Sequence, residues 1–118
     1  PILIENNSVL AQKLMSEKIF TGITATAGGF YGPQGRVLRL PLEDGNMNAK
    51  IDSFSFNGNR ITNLEMETSA IYGLSKLLGH HAVSMNAIIA NRANGTFSKD
   101  YKKVVEDLIE YSLNKLIA

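Results

Sequence analysis

A chain of 118 residues has room for one domain with a real core and no second one. Its 12 basic side chains balance 11 acidic ones, so a formal charge of +1 supplies no field able to hold a nucleic acid or an acidic membrane surface. Cysteine is absent, which removes disulfide frameworks, Cys-ligated zinc and thiol catalysis together and suits the cytosol. No apolar run approaches the roughly 18 residues that span a bilayer, and no charged-then-apolar signal segment leads the chain, so it reads as soluble and cytoplasmic. It opens Pro1-Ile2-Leu3-Ile4 without methionine, and its first residue is therefore expected not to be where translation began.

In chain order, Asn7 or Ser8 can cap a short helix with Leu10 and Leu14 on one face, ending near Lys18. The spacing then changes to alternation over 19–27, with Ile23, Ala25 and Ala27 opposite Thr24 and Thr26, which predicts a strand. A glycine-rich stretch, FYGPQGR at 30–36, leaves its end. Residues 37–40 suit a short extended piece, and 42–46 a turn after Pro41. The stretch 47–56 fits a helix or a strand equally, and Asn57-Gly58-Asn59 closes it. Met66, Ala70, Leu74, Leu77 and Leu78 recur at helical spacing up to Gly79, a natural C-terminal stop. An apolar run at 82–90 without clean alternation predicts a strand covered on both faces. Ser98 caps a last helix with Tyr101, Val104, Val105, Leu108, Ser112 and Leu116 as its inner stripe. This order of helices and strands is that of a layered α/β domain, in which ligands gather at the carboxyl ends of strands. The 30–36 loop and Asn91-Arg92 both follow predicted strands and are expected to share a crevice.

The glycines of the loop are spaced Gly29-x-x-Gly32-x-x-Gly35, which matches neither GxGxxG nor GxxxxGK[ST], so a phosphate loop is set aside. In the plainer reading the loop is a surface turn and Phe30 or Tyr31 plugs the core. Gln34 and Arg36 favour a site. A glutamine amide offers a donor and an acceptor and a guanidinium a fork of donors, both suited to a planar heterocycle stacked on Phe30. In Asn63-Leu64-Glu65-Met66-Glu67 the two carboxylates are read as separate groups rather than as a paired acid and base. Glu67 falls at a helix start, where the dipole favours its ionised form and a carboxylate can accept two hydrogen bonds from a vicinal diol. His80 and His81 are adjacent and cannot easily face one metal, so no metal site is expected and both are read as turn residues. Asn6-Asn7-Ser8 and Asn94-Gly95-Thr96 match the glycosylation pattern but are read as turns.

Three stretches occur in order: Gly22-Ile23-Thr24-Ala25 leading to Phe30-Tyr31-Gly32-Pro33-Gln34-Gly35-Arg36, then Asn63-Leu64-Glu65-Met66-Glu67-Thr68-Ser69-Ala70, then Ile88-Ile89-Ala90-Asn91-Arg92. Together they resemble the C-terminal part of the nucleoside phosphorylases, those acting on uridine above all. The resemblance implies an incomplete C-terminal portion of a layered αβα fold, with a mixed sheet and flanking helices. It implies reversible phosphorolysis, in which phosphate attacks C1′ of a nucleoside and free base leaves with ribose 1-phosphate. Phosphate would be the co-substrate, and neither metal nor cofactor is required.

Carried onto this chain, the resemblance has Phe30, Gln34, Arg36, Ile89, Ala90 and Arg92 binding the base, and Glu65, Met66 and Glu67 lying at the ribose. Arg36 would also be catalytic, stabilising with Gln34 the charge that develops on leaving uracil, a role worth roughly 3 kcal/mol per well-aimed donor. Purine-cleaving hexameric relatives place an aspartate near the position of Arg92, so arginine there points to a pyrimidine. Family members are about twice as long, and their upstream half holds phosphate. This chain is accordingly expected to be a C-terminal fragment that binds nucleoside but cannot cleave it alone, and to self-associate through unpaired strand edges. The alternatives are a purine or other nucleoside phosphorylase or nucleosidase, and a nucleoside-binding α/β domain without catalysis.

Overall fold

The computed structural model describes residues 2–91 and 94–118. Helix α1 (Ser8–Leu14) is capped by the Asn7 side chain, which accepts from the Leu10 amide at 2.9 Å. It stops short of Lys18 because Ser16 gathers the next amides into a local turn, its hydroxyl accepting from Lys18 and its carbonyl from Ile19. Strand β1 (Ile23–Thr26) is shorter than the alternation at 19–27 suggested. It is a strand only where it has a partner.

That partner is β3 (Asn59–Glu65), which the sequence reading did not assign. The ambiguous stretch before it splits into helix α2 (Met47–Ser53) and strand β2 (Ser55–Phe56). Between β2 and β3, Asn57 and Gly58 both take positive φ, 49° and 78°, the two-residue turn whose twist matches that of a hairpin. The register Phe56↔Asn59 and Ser55↔Arg60 follows from that turn. β3 then pairs in parallel with β1, giving a three-stranded mixed sheet in the order β1-β3-β2. A register shift between Ile23 and Thr24 lies beside Gly22, where the Thr62 side chain fills the space a Cβ would need. Residues 38–40 form bends and 37 has no regular structure, instead of an extended piece, and Val37, Leu38 and Leu40 are exposed.

Helix α3 (Thr68–Leu78) ends at Gly79 as expected. Its orientation is not the expected one. Thr68 is buried and Tyr72, Gly73 and Ser75 are half-buried, whereas Ala70, Leu74, Leu77 and Leu78 of the apolar stripe are exposed, Leu77 to 83%. The run at 82–90 carries no ladder up to Ala90. A strand buried on both faces needs neighbours on both sides, and here single bonds hold it: Asn7 N–H to the Ala82 carbonyl at 2.9 Å and Ser84 N–H to the Tyr72 hydroxyl at 2.7 Å. A small hairpin follows, β4 (Ala90–Asn91) with β5 (Thr96–Phe97). Asn94 sits in its turn and accepts from both the amide and the hydroxyl of Thr96.

Helix α4 (Tyr101–Ile117) is capped by Asp100 rather than Ser98, the Asp100 carboxylate accepting from the Lys103 amide. Along its predicted stripe Val105, Leu108 and Ser112 are half-buried, and Tyr101, Val104 and Leu116 are exposed. The helix leans on α1, and the Tyr111 hydroxyl donates to the Leu14 carbonyl at 2.6 Å. Leu14, 3% exposed, is the one buried large apolar side chain among the described residues. Tyr111→Phe leaves that α1 carbonyl without its donor and is expected to lower stability by about 1 kcal/mol, measured by urea unfolding.

The chain is therefore mixed α/β, a small mixed sheet flanked by helices. Its accessible surface is 9128 Å², against about 6,300 Å² for a compact monomer of this mass. Among the described residues no helix is long and apolar enough to cross a membrane.

Candidate functional site

The parallel pairing of β1 with β3 decides what lies near what. Thr24 stands beside Asn63 and Thr26 beside Glu65, so two segments separated by 39 residues leave the same edge of the sheet. From β1 the chain runs into the 30–36 loop, and from β3 into Met66 and Glu67. Carboxyl ends of adjacent parallel strands are where ligand crevices form in α/β sheets.

The loop is built around one turn. Pro33 starts a short 3₁₀ segment (Gly32–Gln34), closed by the Gln34 and Arg36 amides donating to the Tyr31 carbonyl and the Gly35 amide to that of Gly32. Gly35 has φ 78°, the left-handed region in which a side chain is strained. This reversal carries Arg36 back over the loop. Its guanidinium carbon lies 3.9 Å from the centre of the Phe30 ring, a cation–π contact, and one terminal nitrogen donates to the Phe30 carbonyl and to Gln34 Oε1, the latter at 2.8 Å. The Phe30 and Tyr31 rings meet edge to face at 5.2 Å.

Neither ring plugs the core. Phe30 is 51% exposed and Tyr31 55%, while Gln34 is buried to 4%. The Gln34 oxygen is already engaged by Arg36, and the guanidinium and the glutamine amide are the two planar hydrogen-bonding groups of the loop.

Glu65 is spoken for. One carboxylate oxygen accepts from the Thr26 hydroxyl, and the other from the Glu67 and Thr68 amides, both at 2.7 Å. Thr26 in turn accepts from the Ser69 amide at 3.0 Å. Glu65 thus caps α3 from the end of β3, a role the sequence reading missed; the signal was a carboxylate just ahead of a Thr-Ser helix start. Burial pushes its pKa up, but the bonds from Thr26, Glu67 and Thr68 outweigh that and hold it below its ordinary value.

Glu67 occupies the N-cap position of α3, makes no capping bond with its side chain and is exposed. Its carboxylate is unpaired among the described residues and remains available beside the half-exposed Met66. The two carboxylates differ in their bonding: that of Glu65 holds Thr26, Glu67 and Thr68, and that of Glu67 makes no capping bond.

The third motif stands apart. Ile89 and Ala90 line a shallow hollow with Ile88, Asn91, Thr96, Phe97 and Ser98, and Phe30, Gln34 and Arg36 are not among its walls. Arg92 lies outside the described residues. The hollow at Ile89 and Ala90 has no wall from the 30–36 loop; what the parallel pairing brings to one end of the sheet is the loop after β1 and the Met66-Glu67 segment after β3. His80 and His81 are exposed, and no group of three or more acidic or histidine side chains is gathered for a metal among the described residues. No family model, no curated protein and no solved structure matches this chain.

Proposed function

We propose that the chain is the base-and-ribose-binding portion of a nucleoside phosphorylase of the layered αβα class, acting on uridine-type pyrimidine nucleosides. The observation that carries this reading is the shared sheet edge: an aromatic face with the Gln34–Arg36 pair leaves β1, and an unpaired carboxylate, Glu67, leaves the adjacent parallel β3. A uracil ring needs a face to lie on and donors for its carbonyls. A ribose needs a carboxylate for its two hydroxyls. Phosphate enters as the second substrate, and Arg36 stabilises negative charge on the departing base. Met66 lies against the sugar in this reading, while Ile89 and Ala90 line a separate hollow and do not enter it. Cytoplasmic nucleoside salvage is the setting, and self-association is supported by the exposed Leu74, Leu77 and Leu78 of α3.

The test is a calorimetric titration of the 118-residue chain with uridine, run beside an assay of uridine cleavage in phosphate. Binding without cleavage is the expected result. Cleavage by the chain alone would show that it holds phosphate by itself, and absence of binding to uridine, with binding to a purine nucleoside, would move the specificity to purines.

A further inference from the structure

Every backbone hydrogen bond of the 30–36 loop is internal except one. The Gln34 and Arg36 amides bond to Tyr31, the Gly35 amide to Gly32, and the guanidinium of Arg36 to Phe30 and Gln34. The exception is the Gly35 carbonyl, which accepts from Asn48 Nδ2 at 2.9 Å, 13 residues along the chain. Asn48 Oδ1 meanwhile fills the space that a Cβ at Gly35 would occupy. The contact is specific to the one residue lying between Gln34 and Arg36.

Asn48 has a fixed place to act from. It lies in the first turn of α2, whose start is held by Asp44 accepting from the Asn46 amide and pairing with Lys50, and α2 packs against β3. The orientation of Gly35 sets the directions in which the side chains on either side of it leave the backbone. A hold on its carbonyl is therefore a hold on the Gln34–Arg36 pair. We infer that Asn48 is a positioning residue for base recognition: it makes no contact with the nucleoside but, through the Gly35 carbonyl, keeps Gln34 and Arg36 aimed at one plane above Phe30. What the pair binds rests on the function proposed above; how the pair is held does not.

The experiment uses the full chain with Asn48→Ala and Asn48→Asp, reading two quantities that a merely structural role would leave alone. The first is the chemical shift of the Arg36 side-chain protons, which the Phe30 ring current displaces upfield. The second is uridine affinity by calorimetry. In Asn48→Ala the ring-current displacement should fall by half or more and affinity drop about tenfold, as for the loss of one hydrogen bond, with the urea midpoint unchanged. Asn48→Asp should weaken binding further, because its carboxylate faces the Gly35 carbonyl with no donor. Unchanged Arg36 shifts and affinity in both variants would overturn the inference, and so would loss of the far-ultraviolet helix signal, which would make Asn48 a residue of the fold. A native chain that binds no uridine while Asn48→Ala still loses the Arg36 displacement would support the positioning role and reject the base-site reading instead.

Discussion

Glu65→Ala is expected to destabilise the chain by about 2–3 kcal/mol, a large share of the stability available to a domain with so thin a core. The carboxylate holds three donors at once, the Thr26 hydroxyl and the Glu67 and Thr68 amides, and it joins the ends of β1 and β3 to the start of α3. Removing it leaves two helix-terminal amides without an acceptor. Glu65→Gln keeps the shape and one acceptor oxygen, so it should lose roughly half as much. The charge makes the effect depend on pH. Because the folded carboxylate titrates below its unfolded value, its stabilisation is complete above the ordinary carboxylate range, about 4.3, and is lost as pH falls through the lower folded value. Urea unfolding at pH 7 and at pH 3 is the measurement. The gap between native chain and Glu65→Gln should narrow on acidification, and an equal gap at both values would mean that the ionised form contributes nothing.

Arg36→Lys should weaken uridine binding by about 10- to 100-fold while leaving the unfolding midpoint in place. A guanidinium can lie flat on the Phe30 ring and still send one nitrogen to both the Phe30 carbonyl and Gln34 Oε1; an ammonium on a flexible stem is a point charge that cannot keep all three contacts. Gln34 would then be free to rotate, and the donor pattern offered to the base would blur. Calorimetry with uridine reads the loss, and charge alone is tested by the same substitution, since lysine preserves it. Full affinity in Arg36→Lys would show that the cation matters only as a field and would remove the planar-recognition argument.

Local patterns in the sequence carried some of this and not the rest. Asn7 as a cap, Gly79 as a stop and the gathering of Phe30, Gln34 and Arg36 in one loop were all legible, since each depends on residues within a few positions of one another. Strand β3 was overlooked although Asn57-Gly58 announces a returning strand; its alternation is weak, with Asn63 and Glu65 on the face where apolar residues would have marked it. The run at 82–90 erred the other way, since its composition suits a buried strand whose neighbours the described fold does not supply. The reach of Asn48 to Gly35 was invisible for a different reason. It depends on where α2 is set down, and no pattern around residue 48 encodes that.

The sparse interior shapes how the chain responds to temperature. An unfolded chain of this mass exposes about 18,700 Å², and the folded form retains 9128 Å², so folding hides about half of the surface where a compact domain hides about two-thirds. Heat capacity of unfolding follows the apolar surface newly hydrated. A small increment flattens the curve of stability against temperature, so cooling takes away little; the small unfolding enthalpy that goes with little buried surface spreads melting over a broad range. Any molecule that settles on the open faces of α3 would sharpen that transition as well as raise it, because it would add to the surface that melting must wet.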